Sequence, residues 1–88
     1  MNFGISIARE AEKLLDRLDR QLEHRIRARF TQLAVDPLDA RLSTPLTARP
    51  GIRKSRVGGW RILFTVALEA RMIYVITVDS RGQVYKHL

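Results

Sequence analysis

Two adjacent glycines, Gly58 and Gly59, stand between two strand-like runs, and no other feature constrains the fold of this chain as tightly. A two-residue hairpin loop of type I′ demands positive φ at both central positions, which glycine adopts without steric cost. With these two residues as the loop, Val57 faces Trp60, Arg56 faces Arg61, Ser55 faces Ile62 and Lys54 faces Leu63. Facing residues share one side of the sheet, and sides alternate along each strand. One side then carries Val57, Trp60, Ile62 and Phe64, an apolar set suited to a core. The other carries Lys54, Arg56 and Arg61. Like charges directly opposed across a strand pair destabilise it. A cationic cluster kept at that cost points to an anionic ligand, and guanidinium and ammonium groups suit phosphate oxygens. The plain structural alternative is a solvated strand face with extended cationic side chains.

Charge is distributed unevenly around this hairpin. Residues 1–40 hold seven Lys/Arg and seven Asp/Glu, whereas residues 41–88 hold nine Lys/Arg against Glu69 and Asp79, so the whole net charge of +7 lies in the second half. A one-sided basic field concentrates polyanions, which makes nucleic acid or an acidic protein the expected partner. These cations lie on strands rather than along an amphipathic helix, which argues against a membrane-surface segment. The chain has no cysteine. Disulfides and zinc–thiolate sites are therefore excluded, and a reducing cytoplasmic setting is compatible. No apolar run approaches the roughly 18–20 residues that span a bilayer, and no signal-peptide pattern opens the chain.

Taken in order, Phe3, Ile5 and Ile7 alternate with polar or small residues as a short strand with one buried face. From Ala8 the period becomes helical, with Ala11, Leu14, Leu15 and Leu18 on one stripe. Asp19 is a candidate cap for a second helix carrying Leu22, Ile26, Phe30 and Leu33, though a bend in one long helix fits the pattern too. His24 beside that stripe reads as an ordinary helix histidine. Asp36-Pro37 ends the helix. Residues 36–51 hold all three prolines and form an ordered connection, expected to be pinned by Leu38, Leu42 and Leu46. After the hairpin, Leu68-Glu69-Ala70 makes a turn. Residues 72–78 are then apolar on both parities, as in a central strand covered on both faces. Residues 83–88 can add a last short strand or an extended tail. The expected fold is a single α+β domain over 1–88, with a small antiparallel sheet of mixed edge. Two N-terminal helices pack on one face, in the order β-α-α-β-β-β. No metal-ligand spacing or phosphate-binding glycine loop is present, so no cofactor or metal is expected.

The block Arg53–Phe64, followed by Val78-Asp79-Ser80-Arg81 and Val84-Tyr85-Lys86, resembles the RelE/ParE superfamily of type II toxin–antitoxin toxins. Ile5-Ser6-Ile7-Ala8 running into a helix with paired leucines, and a second helix ending at Asp36-Pro37, extend the resemblance over nearly the whole chain. It implies a sheet backed by two helices and a cognate antitoxin that wraps the toxin with a segment ordering on binding. In the RelE-like branch it implies metal-independent cleavage of messenger RNA on the ribosome. In the ParE-like branch it implies inhibition of DNA gyrase without nuclease chemistry. Carried onto this sequence, the RelE-like site falls on Lys54, Arg61, Arg81 and Tyr85; apart from the resemblance, the nearby cations Arg53, Arg56 and Lys86 are candidates for binding RNA phosphates, although Arg53 points to the other side of its strand. Ile52 departs from that pattern, which often has a second lysine two residues before Lys54. The resemblance favours the RelE-like nuclease. The gyrase inhibitor, or a toxin-derived domain that mainly binds its antitoxin, are the other readings.

The chemistry of RNA cleavage can be matched to these residues independently. The 2′-hydroxyl must lose its proton, phosphorus must be attacked in line, the added oxyanion charge must be stabilised and the 5′-oxygen protonated. Arg61 and Arg81 suit the oxyanion, because fixed cations act where charge develops. Lys54 or Tyr85 can serve as base if neighbouring cations loosen its proton. His87 is the residue type whose unperturbed pKa best suits acid–base work near neutrality, but it lies next to the last residue of the sequence. Trp60, on the apolar side, reads as packing rather than a base-stacking platform.

Overall fold

In a computed structural model, which describes residues 2–80, alternation in the opening segment produces strand β1 (Gly4–Ile7), with Ile5 and Ile7 turned inward and Gly4 and Ser6 exposed. Helix α1 (Arg9–Arg17) follows and buries Ala11 and Leu15. Asp19 does end one helix and begin another. Leu18 and Asp19 are extended, and the Asp19 carboxylate accepts the Leu22 backbone N–H at 3.1 Å, satisfying one of the amides left open at the start of α2 (Arg20–Val35). The two helices are clasped by Arg27, which donates to Glu12 at 2.6 Å and to Glu23 one turn away at 2.9 Å. The Glu12 hydrogen bond, then that of Glu23, holds the Arg27 guanidinium above its ordinary value.

The sheet follows in antiparallel steps. Strand β2 (Thr44–Pro45) is only two residues long, β3 (Arg53–Val57) and β4 (Trp60–Ala67) form the hairpin, and β5 (Met72–Asp79) follows the turn at 68–71. The order across the sheet is β1-β5-β4-β3-β2, with β1 parallel to β5 and the other pairs antiparallel. This is the expected α+β architecture with its mixed edge, plus the short β2 strand that the proline-rich connection concealed.

Both helices cover one face. Leu15, Ile26, Phe30 and Leu33 pack with Val57, Ile62, Phe64, Ile73, Val75 and Val78. Burying a large aliphatic or aromatic side chain stabilises the fold by roughly 1.5–3 kcal/mol, so this cluster is the main store of stability. Val75 and Val78 differ in parity, yet both reach the core. The register explains it: Leu63 pairs with Thr77 and Phe64 with Val75, so Ile76 is an extra residue that switches sides along β5. A smaller cluster forms on the opposite face, where Leu63 meets Leu46 and the half-buried Ile52.

Three expectations need correction. Positive φ falls at Gly58 (59°) and not at Gly59, which matches a type II′ turn rather than type I′. Leu46 is buried and Leu42 packs on the core, but Leu38 is 47% exposed and joins neither buried cluster. Strand β5 is central, yet its second face is not covered by the described residues at Tyr74, which is 43% exposed. The expected last strand at 83–88 lies outside the described residues.

Candidate phosphate-binding face

The hairpin register is the one expected from Gly58-Gly59. Val57 pairs with Trp60, Arg56 with Arg61, Ser55 with Ile62 and Lys54 with Leu63. Val57, Ile62 and Phe64 are buried in the core with Trp60 packed beside them, and Lys54, Arg56 and Arg61 therefore share the opposite face. Arg56 is exposed, whereas Lys54 and Arg61 are half-buried. On its other side Arg61 pairs in register with Asp79 of β5. Arg61 thus sits between a like charge on one neighbouring strand and an opposite charge on the other.

Arg53 belongs to the inner parity of β3 and is held by the loop. Its Nε donates to Ser43 Oγ at 2.9 Å and its Nη2 to the Ser43 carbonyl at 3.1 Å. The buried Ser43 hydroxyl donates in turn to the Pro37 carbonyl at 2.7 Å. Such a hydroxyl needs partners, and this chain supplies both a donor and an acceptor. The structure therefore uses Arg53 to fasten the connection to β3, apart from the cluster of Lys54, Arg56 and Arg61.

A cation that the sequence reading passed over completes the region. Arg29 projects from α2 around the edge of β3, where its Nη1 donates to Ser55 Oγ at 2.8 Å and to the Arg56 carbonyl at 2.7 Å. Ser55, 1% exposed, donates its hydroxyl in turn to the Leu42 carbonyl at 2.7 Å. Helix, strand and loop are thus joined directly behind Arg56. The one available signal was position: Arg29 flanks the Ile26, Phe30, Leu33 stripe, so its side chain had to leave α2 alongside the sheet.

Ile52 stands where the resemblance expects a lysine. Its side chain packs against Leu46 and Leu63, and its carbonyl accepts the Leu46 N–H at 2.8 Å. The position is occupied by an apolar contact that closes the 46–52 loop. Arg81, Tyr85, Lys86 and His87 lie outside the described residues. Among the described residues no group of three or more His, Cys, Asp and Glu side chains gathers as a metal site, and no helix is long and apolar enough to cross a membrane.

The family model described as the ParE toxin of the type II toxin–antitoxin system parDE matches residues 5–85. No curated protein matches the chain. Among solved structures, the chain is similar to one in the toxin–antitoxin complex RelBE2 from Mycobacterium tuberculosis. The TM-score is 0.79 at 24% identity, over 92% of this chain and 100% of that one. A mutant of the Escherichia coli toxin RelE in the free state matches with a TM-score of 0.81 at 18% identity, over 98% and 93% of the two chains. A chain of the RelE–RelB complex from Pyrococcus horikoshii matches with a TM-score of 0.77 at 18% identity, over 94% and 99%. At these identities the structural likeness establishes the fold.

Proposed function

The chain belongs to the ParE toxin family of type II toxin–antitoxin systems, and we propose, from its cationic face rather than from the family name, that it arrests translation as a metal-independent endoribonuclease acting on messenger RNA at the ribosome. One observation carries this reading: Lys54, Arg56 and Arg61 share a single outward face, with Arg56 and Arg61 directly opposed. A phosphodiester with a developing negative charge is the ligand that this face accommodates best. In the step proposed, the 2′-oxygen bonds to phosphorus as its proton passes to a base, with Lys54 and Tyr85 the candidates. Arg61, joined by Arg81, stabilises the oxyanion. The bond from phosphorus to the 5′-oxygen then breaks, and the departing oxygen takes a proton, for which His87 is a candidate donor. A 2′,3′-cyclic phosphate and a 5′-hydroxyl result. Lys86 and Arg53 remain candidates for contacts farther along the RNA, Arg53 only if it releases Ser43.

Ile52 favours a second reading. With that position given to packing, the face has one cation fewer than the RelE-like pattern, and inhibition of DNA gyrase by binding, as the ParE name implies, needs no acid–base set. On either reading we propose a cognate antitoxin as partner, as in the toxin–antitoxin complexes that the fold resembles. The excess of positive charge in residues 41–88 calls for an acidic segment, with association slowing as salt screens the field.

The deciding experiment is induction of the toxin alone, with messenger ends and gyrase-linked DNA breaks mapped in the same cells, for the parent and for Arg61→Lys. Lysine keeps the charge but loses the planar two-pronged donor. Loss of one oxyanion donor costs roughly 100–1000-fold in rate, so ribosome-dependent cleavage should collapse while antitoxin binding persists. Full toxicity of Arg61→Lys, with DNA breaks and no messenger cleavage from either form, would move the gyrase reading to first place.

A further inference from the structure

A groove of about 280 Å³ opens beside the edge of β3, lined by Arg29, Arg41, Lys54 and Arg56 together with residues 42–44 of the connection. We infer that it is a phosphodiester-binding subsite that holds the RNA strand alongside the position cleaved. Its RNA rests on the nuclease reading, whereas its affinity for an anion rests on the groove alone.

Four cations line the groove and no acidic side chain does. Two of the four are fixed in advance. Arg29 is held by Ser55 Oγ and the Arg56 carbonyl. Arg41 is gripped by Asp39, whose two carboxylate oxygens accept its Nε at 3.2 Å and its Nη2 at 2.8 Å. Among the described residues the charged ends of Lys54 and Arg56 have no hydrogen-bond or ion-pair partner, so both are available to an incoming anion. The groove exists because β2 pairs only with Arg53 and Lys54. Beyond Lys54 the edge of β3 has no strand beside it, and Arg29 occupies that edge instead.

The chemistry favours a phosphodiester over a carboxylate side chain. The Nε and Nη2 of Arg41 are taken by Asp39, and the Nε and Nη1 of Arg29 by Gln32, Ser55 and the Arg56 carbonyl, so the two-pronged phosphate contact falls to Arg56, with Lys54 and the remaining N–H groups of Arg29 and Arg41 beside it. Arg56 links the groove to the hairpin face, since it lines the first and stands opposite Arg61 on the second. One extended strand can therefore place one phosphate at Arg61 and a neighbouring one in the groove.

The test uses the purified full chain and a fluorescent 2′-O-methyl RNA oligomer, which lacks the attacking hydroxyl and cannot be cleaved, titrated by anisotropy over a salt series. Arg41→Gln, made in an Asp39→Asn background so that no bare carboxylate is left beside the groove, should weaken binding severalfold relative to Asp39→Asn alone and reduce the log–log salt slope by about 0.7. Arg56→Gln should do the same relative to the parent, and Arg9→Gln on α1 should match the parent. Unchanged affinity and slope for Arg41→Gln and Arg56→Gln, each against its own reference, would overturn the subsite. So would equal competition by a poly-glutamate peptide of the same charge, which would make the groove a general acid-binding face. Groove-dependent RNA binding in a toxin that never cleaves ribosome-bound messenger would uphold the subsite while removing the nuclease reading.

Discussion

Arg56 and Arg61 stand directly across from each other on neighbouring strands of the hairpin, with side chains on the same outward face. The pairing follows from the two-residue loop, since Val57 and Trp60 flank the turn and the next pair outward must be these arginines. Like charges so opposed weaken the strand pair, and Asp79 on the other neighbouring strand faces only Arg61 of the two.

Removing that repulsion should stabilise the free protein. Arg56→Thr replaces a like charge with a β-branched residue suited to a strand, and relief of about 0.2–1 kcal/mol is expected. The melting temperature should rise at low salt, and the gain should shrink as salt screens the pair. No rise at low salt would mean that the opposed arginines cost nothing, and the argument for an anion on this face would lose its footing.

Gly58→Val should act in the opposite direction. Residue 58 has φ of 59°, a region that costs an ordinary L-residue about 1–2 kcal/mol and a β-branched one at least as much. A Cβ there would also lie 3.3 Å from Arg25 Nη2, though that flexible side chain can move aside. A drop of several degrees in melting temperature is expected. Gly59→Val should be milder, because φ is not positive there and no atom lies within 4 Å of an added Cβ. Equal tolerance of valine at both positions would count against the turn.

Ile52→Lys restores the lysine that the RelE-like pattern calls for, at the expense of the contact with Leu46 and Leu63. A loss of roughly 1 kcal/mol is expected, limited because lysine can lay its stem along the apolar surface and keep its charge in water. If the nuclease reading is right, messenger cleavage per folded molecule should rise even as the melting temperature falls. An unchanged melting temperature would show that the Leu46–Leu63 cluster does not secure the loop.

The Asp39–Arg41 pair predicts a pH dependence. Hydrogen bonds from the Arg41 side chain, then its backbone N–H, lower the Asp39 carboxyl to about 2. An ordinary aspartate titrates near ~3.9. Because the folded value is the lower one, this group's stabilising contribution is complete above the ordinary value and lost as pH falls through the folded one, between about pH 4 and 2. A carboxyl-carbon NMR titration should place the Asp39 midpoint near 2, and Arg41→Ala should return it towards the ordinary range. A midpoint near 4 in the parent would contradict the paired geometry.

Much of this molecule could be read along the chain because the determining interactions are local. The helical periods, the cap at Asp19 and the hairpin register each depend on residues within a few positions of one another. The alternation that separates Val57, Trp60 and Ile62 from Lys54, Arg56 and Arg61 follows from strand geometry once the loop is placed. The family signature in the Arg53–Phe64 block is likewise a local string. The distinction between turn types was not legible, since a Gly-Gly pair permits either pattern of φ and the flanking strands select one. Leu38 was misplaced because an apolar residue in a connection is buried only if the loop passes a surface able to receive it.

What the tertiary structure decided concerns groups far apart in sequence. Arg29 reaches Ser55 and Arg56, some 26 and 27 residues further on, only because α2 crosses the sheet beside the β3 edge. Val78 joins Val75 in the core only because Ile76 is an extra residue in the pairing of β5 with β4. Ile52 takes the place of a cation because Leu46 and Leu63 meet there on the far face of the sheet. Local sequence determined the elements and the side each residue faces. Where two elements come close enough for one side chain to serve the other is set by packing of the whole core, a property of no single stretch of sequence.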